Sequence, residues 1–104
     1  MPRTIEVVIS VTDDLVDVSV NPVVLAMSRA QEVCWRSYQG TSKVSFDGDS
    51  PFEARELSAP KGGGVSSGVP RRDRVRKDAY RYTVEVMVGE RTCRSEEFEI
   101  FVDP

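Results

Sequence analysis

Apolar and polar residues alternate along several short stretches of this chain, with the two-residue period of a β-strand that buries one face. The alternation is clearest in residues 79–88, where Tyr80, Tyr82 and Val84 share one face and Arg81 and Thr83 share the other. Seven stretches of this kind are predicted as strands: 4–11, 16–20, 23–28, 32–36, 43–46, 79–88 and 97–102. No segment has the periodicity of an amphipathic helix.

Turn residues separate these stretches, notably Asp13-Asp14, Asn21-Pro22 and Gly89-Glu90. About seven short strands between turn signals are typical of an all-β sandwich, and we predict a Greek-key arrangement. The prediction is a single domain over residues 1–104, with a flexible basic loop at about 58–78 that is rich in glycine and serine. Trp35, Tyr80 and Tyr82 are expected in the core, with Phe52 closing it as a lid.

The charge is distributed unevenly along the chain. The 104 residues carry a net charge of −3 and a pI near 5.0. Residues 61–81 nevertheless hold seven basic and two acidic side chains, so the acidic excess lies in the rest of the chain. The longest apolar run, Val23 to Met27, is far too short to span a bilayer, and no signal-peptide pattern is present. We therefore predict a cytoplasmic protein without membrane insertion.

Several motifs occur in an order that resembles the cupredoxins, the plastocyanin-type β-sandwiches, over nearly the whole chain. These motifs are Val18 to Leu25 with its central proline, Glu32 to Trp35, Val44 to Asp49, and Asp78 to Tyr82. The resemblance implies a Greek-key sandwich with Trp35 packed in its core. An immunoglobulin-like sandwich is the alternative fold.

The resemblance does not extend to the copper ligands. The positions that match them hold Ser42 for the first histidine, Val84 for the cysteine and Met87 for the second histidine. A blue-copper site needs two imidazoles and a thiolate, and the chain has no histidine. The resemblance therefore implies a copper-free cupredoxin-like scaffold, of the kind that serves in recognition, and no cofactor is expected.

The sharpest local feature is the run of residues 71–77, called the basic segment below. Its cations, together with the loop residue Tyr38, are the predicted binding residues: Tyr38, Arg71, Arg72, Arg74, Arg76 and Lys77. Clustered cations suit an acidic protein partner, whereas the acidic pI and the lack of interleaved aromatic residues argue against nucleic acid. We expect the 36–42 loop and the 58–77 loop to lie at one end of the sandwich and to form this surface together.

Three other functions are less well supported by the sequence. The long strands at residues 78–88 and 95–102 could lie at a sheet edge and allow self-association. A hydrolase could use Asp47 and Glu53, and a metal carrier could use Cys34, Cys93 and Met87. Without histidine neither cysteine has its usual activating base, so we predict no metal site and no catalytic activity. Because there are only two cysteines and no export signal is visible, we also predict reduced thiols.

Overall fold

The computed structural model describes residues 3–74 and 78–103, and nearly all of its regular structure is β-strand. The strands are β1 (Thr4–Thr12), β2 (Leu15–Val18), β3 (Val23–Ala26), β4 (Glu32–Ser37), β5 (Thr41–Phe46), β6 (Glu56–Ala59), β7 (Gly64–Ser66), β8 (Tyr80–Val88), β9 (Arg91–Arg94) and β10 (Phe98–Asp103). Two 3-10 helices, Met27–Arg29 and Arg72–Arg74, have three residues each. The predicted all-β class is confirmed.

The strands form two sheets that pack as a sandwich. The first sheet has the order β2-β1-β4-β7, and the second has the order β3-β10-β8-β5-β6, with β9 pairing to the far half of β8. Two of the pairings, β1 with β4 and β10 with β3, are parallel, and the others are antiparallel. The chain changes sheets between β2 and β3, at the cis Asn21-Pro22 bond.

The residues that the alternating pattern predicts to be in the core are buried in the structure. On β8, Tyr80, Tyr82, Val84 and Val86 are buried and face the first sheet. On β4, Val33 and Trp35 are buried, while Cys34 lies on the outer face. Phe52 is fully buried beneath these strands, so the predicted lid position is confirmed.

The strand count and two strand positions differ from the sequence prediction. The segment predicted as a loop over 58–78 contains the end of β6 and all of β7, which pairs antiparallel with β4. Ladder hydrogen bonds use main-chain groups, so the Gly-Val-Ser of β7 can pair despite its low β-propensity. The strand after the Gly89-Glu90 turn is β9, and the predicted return strand, β10, follows it along the same side of β8.

The long strands β8 and β10 are not at the sheet edges, which corrects the expectation that one of them could lie at an edge. β8 lies between β5 and β10, and β10 lies between β8 and β3. The edge strands are short, and two of them have a main-chain donor that is already bonded to a side chain. Gln31 Oε1 accepts from Ala26 N at the end of β3, and the Asp17 carboxylate accepts from Val18 N on β2. Short, blocked edges disfavour strand addition.

The sandwich has two different ends. One, the turn end, carries the four short turns 13–14, 38–40, 60–63 and 89–90, which join strands that are consecutive in the sequence. The other, the loop end, carries the longer connections 47–55 and 67–74 and the helix Met27–Arg29. This division decides which of the predicted binding residues can act together.

Candidate functional site

Tyr38 lies at the turn end, in the turn between β4 and β5. Its side chain is 60% exposed, as expected for a contact residue. The next residue fixes this turn to β1, because Gln39 Oε1 accepts from Val11 N at 2.6 Å and Gln39 Nε2 donates to Val11 O at 2.7 Å. Gly40 completes the turn against the main chain of Met87. Tyr38 is therefore an exposed aromatic group on a rigid support.

The neighbouring turns of this end are joined by charged groups. Asp14 lies in a two-residue turn with Asp13, both with positive φ, and its carboxylate is 2.8 Å from Arg91 Nη1. Between these turns lies an open groove of about 410 Å³, lined by Val11, Asp13, Asp14, Gln39, Val88 and Arg91. Because Asp14 and Arg91 neutralise each other, the charge left in this groove is that of the Asp13 carboxylate.

The described part of the basic segment lies at the loop end. Arg71 N donates to Pro51 O at 2.9 Å, which fixes the segment to the 47–55 connection, and Arg71 and Arg72 are exposed. Arg71 Nε is 3.3 Å from Asp73 Oδ1, whereas Arg72 has no ion-pair partner within the described ranges. The backbone of Arg74 belongs to the second 3-10 helix. Arg76 and Lys77 fall outside the described residues.

Tyr38 and the described part of the basic segment, residues 71–74, are at opposite ends of the sandwich, so the prediction that Tyr38 forms one surface with these residues is wrong. Tyr38 precedes the first residue of β5, and the Pro51 anchor of Arg71 follows the last one. A strand of this length separates its ends by about 17 Å, at roughly 3.3 Å per residue. The part of the 58–77 region that does approach Tyr38 is the 60–63 turn, where Gly62 N donates to Ser37 O.

The three positions that match copper ligands do not converge. Ser42 and Val84 are buried and point into the sandwich, whereas Met87 is 51% exposed on the outer face. Ser42 pairs with Val86 across the β5–β8 ladder, and Val84 pairs with Val44, two residues further along β5. Within residues 3–74 and 78–103, no group of three or more histidine, cysteine or acidic side chains could hold a metal ion.

The two cysteines lie in different sheets and are free thiols. Cys34 is partly exposed on the outer face of β4, and Cys93 is buried on β9 beside Asp14, with Sγ 3.8 Å from Oδ1. Cys34 Sγ and Arg36 Nη2 both lie against Gly64, each 2.8 Å from where a Cβ would stand.

A second groove, missed by the sequence analysis, crosses the outer face of the second sheet. We call it the sheet-face groove; its volume is about 350 Å³, and its lining residues are Ser45, Phe46, Asp47, Thr83, Arg94 and Glu97. Arg94 Nη1 is 3.6 Å from Glu85 Oε1, so part of its charge is offset outside the groove. Asp47 and Glu97 have no ion-pair or hydrogen-bond partner for their carboxylates among the described residues. The groove is therefore acidic.

The core contains polar atoms that lack partners. Trp35 Nε1, Ser42 Oγ and Tyr82 Oη are buried without a hydrogen bond to any other described group. Burial raises the pKa of Tyr82 to about 12, and the nearby Trp35 indole opposes part of that rise without reaching hydrogen-bonding geometry. Their rings pack edge to face with centroids 5.4 Å apart. These groups stabilise the core through packing rather than through polar contacts.

No protein-family model, curated protein or solved structure matches this chain. No helix within the described ranges has the length and apolar character that crossing a membrane requires.

Proposed function

We propose that this chain is a non-catalytic recognition module that binds an acidic protein surface through its basic segment. The proposal includes a copper-free, cupredoxin-like Greek-key scaffold and a cytoplasmic location. It is carried by one observation: Arg71 and Arg72 are exposed on a backbone that is hydrogen-bonded to the rigid sandwich at Pro51.

The anchoring matters because it lowers the entropic cost of binding. A long arginine side chain loses rotamer freedom when it is immobilised in an interface. A backbone already held at Pro51, after the buried Pro70, leaves only the side chains to be ordered. Phe52 beneath this connection is fully buried and supports it from the core. The favourable free energy of the arginine contacts then does not have to offset the entropic cost of ordering the backbone at Arg71 and Arg72.

The charge pattern favours an acidic protein over nucleic acid. Five of the seven residues in the basic segment are cations, but the whole chain has a net charge of −3. A nucleic-acid duplex extends far beyond one short segment, and its phosphates would repel the acidic remainder of the chain. A protein partner can present a local acidic patch of matching size, and arginine can bind its carboxylates in a bidentate manner.

The absence of histidine from the sequence supports a non-catalytic role. Neither free thiol has an imidazole to activate it, since the sequence contains no histidine. The cupredoxin-like part of the proposal is supported by the two-sheet sandwich and by the burial of Trp35 on β4 between the sheets. The free thiols fit the reducing cytoplasm.

The direct test is partner capture with a charge-reversed variant. Wild-type protein and R71E/R72E are immobilised and exposed to lysate of the source cells at low and high salt, and captured proteins are identified by mass spectrometry. We expect an acidic partner on the wild type, released by salt and reduced at least tenfold on R71E/R72E. Salt sensitivity follows because these are exposed charges, which mobile ions screen.

The matched control is K43E/K61E, which changes the net charge equally. Lys43 and Lys61 are exposed and lie away from the loop end, Lys43 on the outer face of β5 and Lys61 in the 60–63 turn. This variant should retain the partner. Equal capture by wild type and R71E/R72E, or equal loss in K43E/K61E, would contradict a specific role for the basic segment.

A further inference from the structure

The sheet-face groove has the chemistry of a site for a cationic side chain. Asp47 and Glu97 contribute two carboxylates without partners in the described structure, and Ser45 and Thr83 pair across β5 and β8 within the same groove. Carboxylates and hydroxyls are acceptors, and a guanidinium offers five N–H donors in one plane. A volume of about 350 Å³ is large enough for an arginine side chain.

The same chain presents exposed guanidinium groups that match this groove. Arg72 is exposed and has no ion-pair partner within the described ranges, and Arg71 is paired only to the exposed Asp73. Both arginines are anchored through Pro51 of the 47–55 connection, and no described residue of the basic segment lines the groove, so the two surfaces are different. Two different, complementary surfaces on one chain are the requirement for a head-to-tail contact between copies.

We propose that the acidic surface recognised by the basic segment is the sheet-face groove of a second copy of this chain. Arg71 and Arg72 of one copy enter the groove between Asp47 and Glu97 of the next. This inference rests on the proposed function, because it names the acidic partner. It differs from pairing through strand edges, which are short and partly blocked in this fold.

The geometry defines the kind of assembly. A contact between two different surfaces leaves one free basic segment and one free groove on every dimer, so further copies can add to form a ring or a filament. Each contact is made by exposed ion pairs, which are individually weak and are screened by salt. Association is therefore reversible, depends on concentration and is lost at high salt.

The experiment is sedimentation velocity over a range of protein concentrations, at about 0.02 M and about 0.5 M salt. The wild type should exceed the monomer mass of 11.6 kDa at low salt and return to it at high salt. The variants R71E/R72E and D47R/E97R should each remain monomeric. Mixing these two variants should restore association, because each reversed surface then meets its complement.

The control for the mixture is R71A/R72A/D13R/E90R/D103R. Asp13, Glu90 and Asp103 are exposed and do not line the groove, and this variant has the same net charge as D47R/E97R. Because it lacks Arg71 and Arg72 and its own groove is still acidic, it should not associate with R71E/R72E. Association in both mixtures alike would show non-specific attraction between oppositely charged proteins and would overturn the assignment of the groove.

The outcomes also separate this inference from the function on which it rests. A wild type that stays monomeric at every concentration in low salt overturns self-recognition. If that monomer still binds poly-glutamate, and R71E/R72E loses the binding, the basic segment keeps its role and the partner is a different acidic protein. If poly-glutamate binding is unaffected by R71E/R72E, the proposed function fails as well.

Discussion

The turn end and the loop end of the sandwich are stabilised by different kinds of interaction. At the turn end, polar contacts tie the turns together: Gln39 to Val11, Arg91 to Asp14, and Arg36 Nη1 to Gly62 O at 2.8 Å. Toward the loop end, aromatic rings fill the core. Phe46, Tyr82 and Phe98 form one row across β5, β8 and β10, and Trp35 and Phe52 pack against it.

This difference explains where the molecule has polar and charged groups that are available to a ligand. Short turns that hydrogen-bond to each other use up their polar groups and leave little for a ligand. Longer connections over a rigid aromatic core can carry exposed charges without weakening the fold. The described part of the basic segment and Asp47 both belong to connections at the loop end. The following predictions test how far this division holds, beginning with the largest expected effect.

The first prediction contrasts a glycine at each end. A Cβ added at Gly40 would lie 1.9 Å from the main-chain oxygen of Met87, so Gly40→Ala must displace β8 or the turn. We expect no soluble folded protein, or a loss of at least about 4 kcal/mol in the free energy of unfolding. Gly48, at the loop end, has φ +77 and open space around it, so Gly48→Ala should cost only about 1 kcal/mol.

Urea denaturation of both glycine variants measures these costs. Similar values for Gly40→Ala and Gly48→Ala would mean that the turn end adapts as easily as the loop end, and the contrast between them would fail.

The second prediction concerns the aromatic lid. Phe52 is fully buried, with its ring centroid 5.7 Å from that of Phe46 and 6.4 Å from that of Trp35. Phe52→Ala should lower the free energy of unfolding by about 3 to 4 kcal/mol through lost burial and an empty cavity. Fluorescence of Trp35, the only tryptophan, should shift to longer wavelength as water reaches the indole. A destabilised variant with unchanged emission would contradict the packing of Phe52 on Trp35.

Strand alternation allowed much of this core to be predicted from the sequence. The inner faces of β8 and β4 follow from alternation at Tyr80, Tyr82 and Trp35, because one-sided burial imposes a two-residue period. β7 was not predictable in this way, since Gly64 and Ser66 contribute main-chain pairing and little side-chain burial. The lid position of Phe52 followed from its isolation after a dense turn.

The candidate sites were less predictable because they depend on contacts between distant residues. Asp47 and Glu97 meet in the sheet-face groove although fifty residues separate them in the sequence. Local patterning predicted that Tyr38 and Arg72 are exposed, and both are. It could not predict that they lie at opposite ends, because that depends on the course of β6 and β7 between them.

The third prediction is the pH dependence caused by Tyr82. The pKa of its phenol is about 12 in the folded protein and 10.0 in the reference state, so the folded state binds the proton more tightly. The resulting stabilisation is complete below pH 10 and is lost as the pH rises to about 12. This loss amounts to about 2 to 3 kcal/mol, at roughly 1.4 kcal/mol per pKa unit.

Comparison with Tyr82→Phe isolates this effect from the other groups that titrate at high pH. Near pH 7 the variant should be as stable as the wild type or slightly more stable, because it removes a buried hydroxyl that has no partner. Between pH 10 and 12 the free energy of unfolding of Tyr82→Phe should rise relative to that of the wild type by about 2 to 3 kcal/mol. Urea denaturation at each pH measures this difference. Parallel stability curves for the two proteins would show that the phenol is hydrated in the folded state.

The smallest expected effect is at the turn end, where Gln39 joins the β4–β5 turn to β1. Gln39→Ala removes both hydrogen bonds to Val11, but solvent can replace them because the contact is exposed. The free energy of unfolding should therefore fall by only about 1 kcal/mol. Tyr38→Ala is the matched control, because Tyr38 is the neighbour of Gln39 and its side chain is 60% exposed. Its removal should change the free energy of unfolding by less than about 0.5 kcal/mol. If the two variants are equally stable, the polar contacts at this end contribute nothing measurable and packing alone, as at the loop end, holds the turns in place.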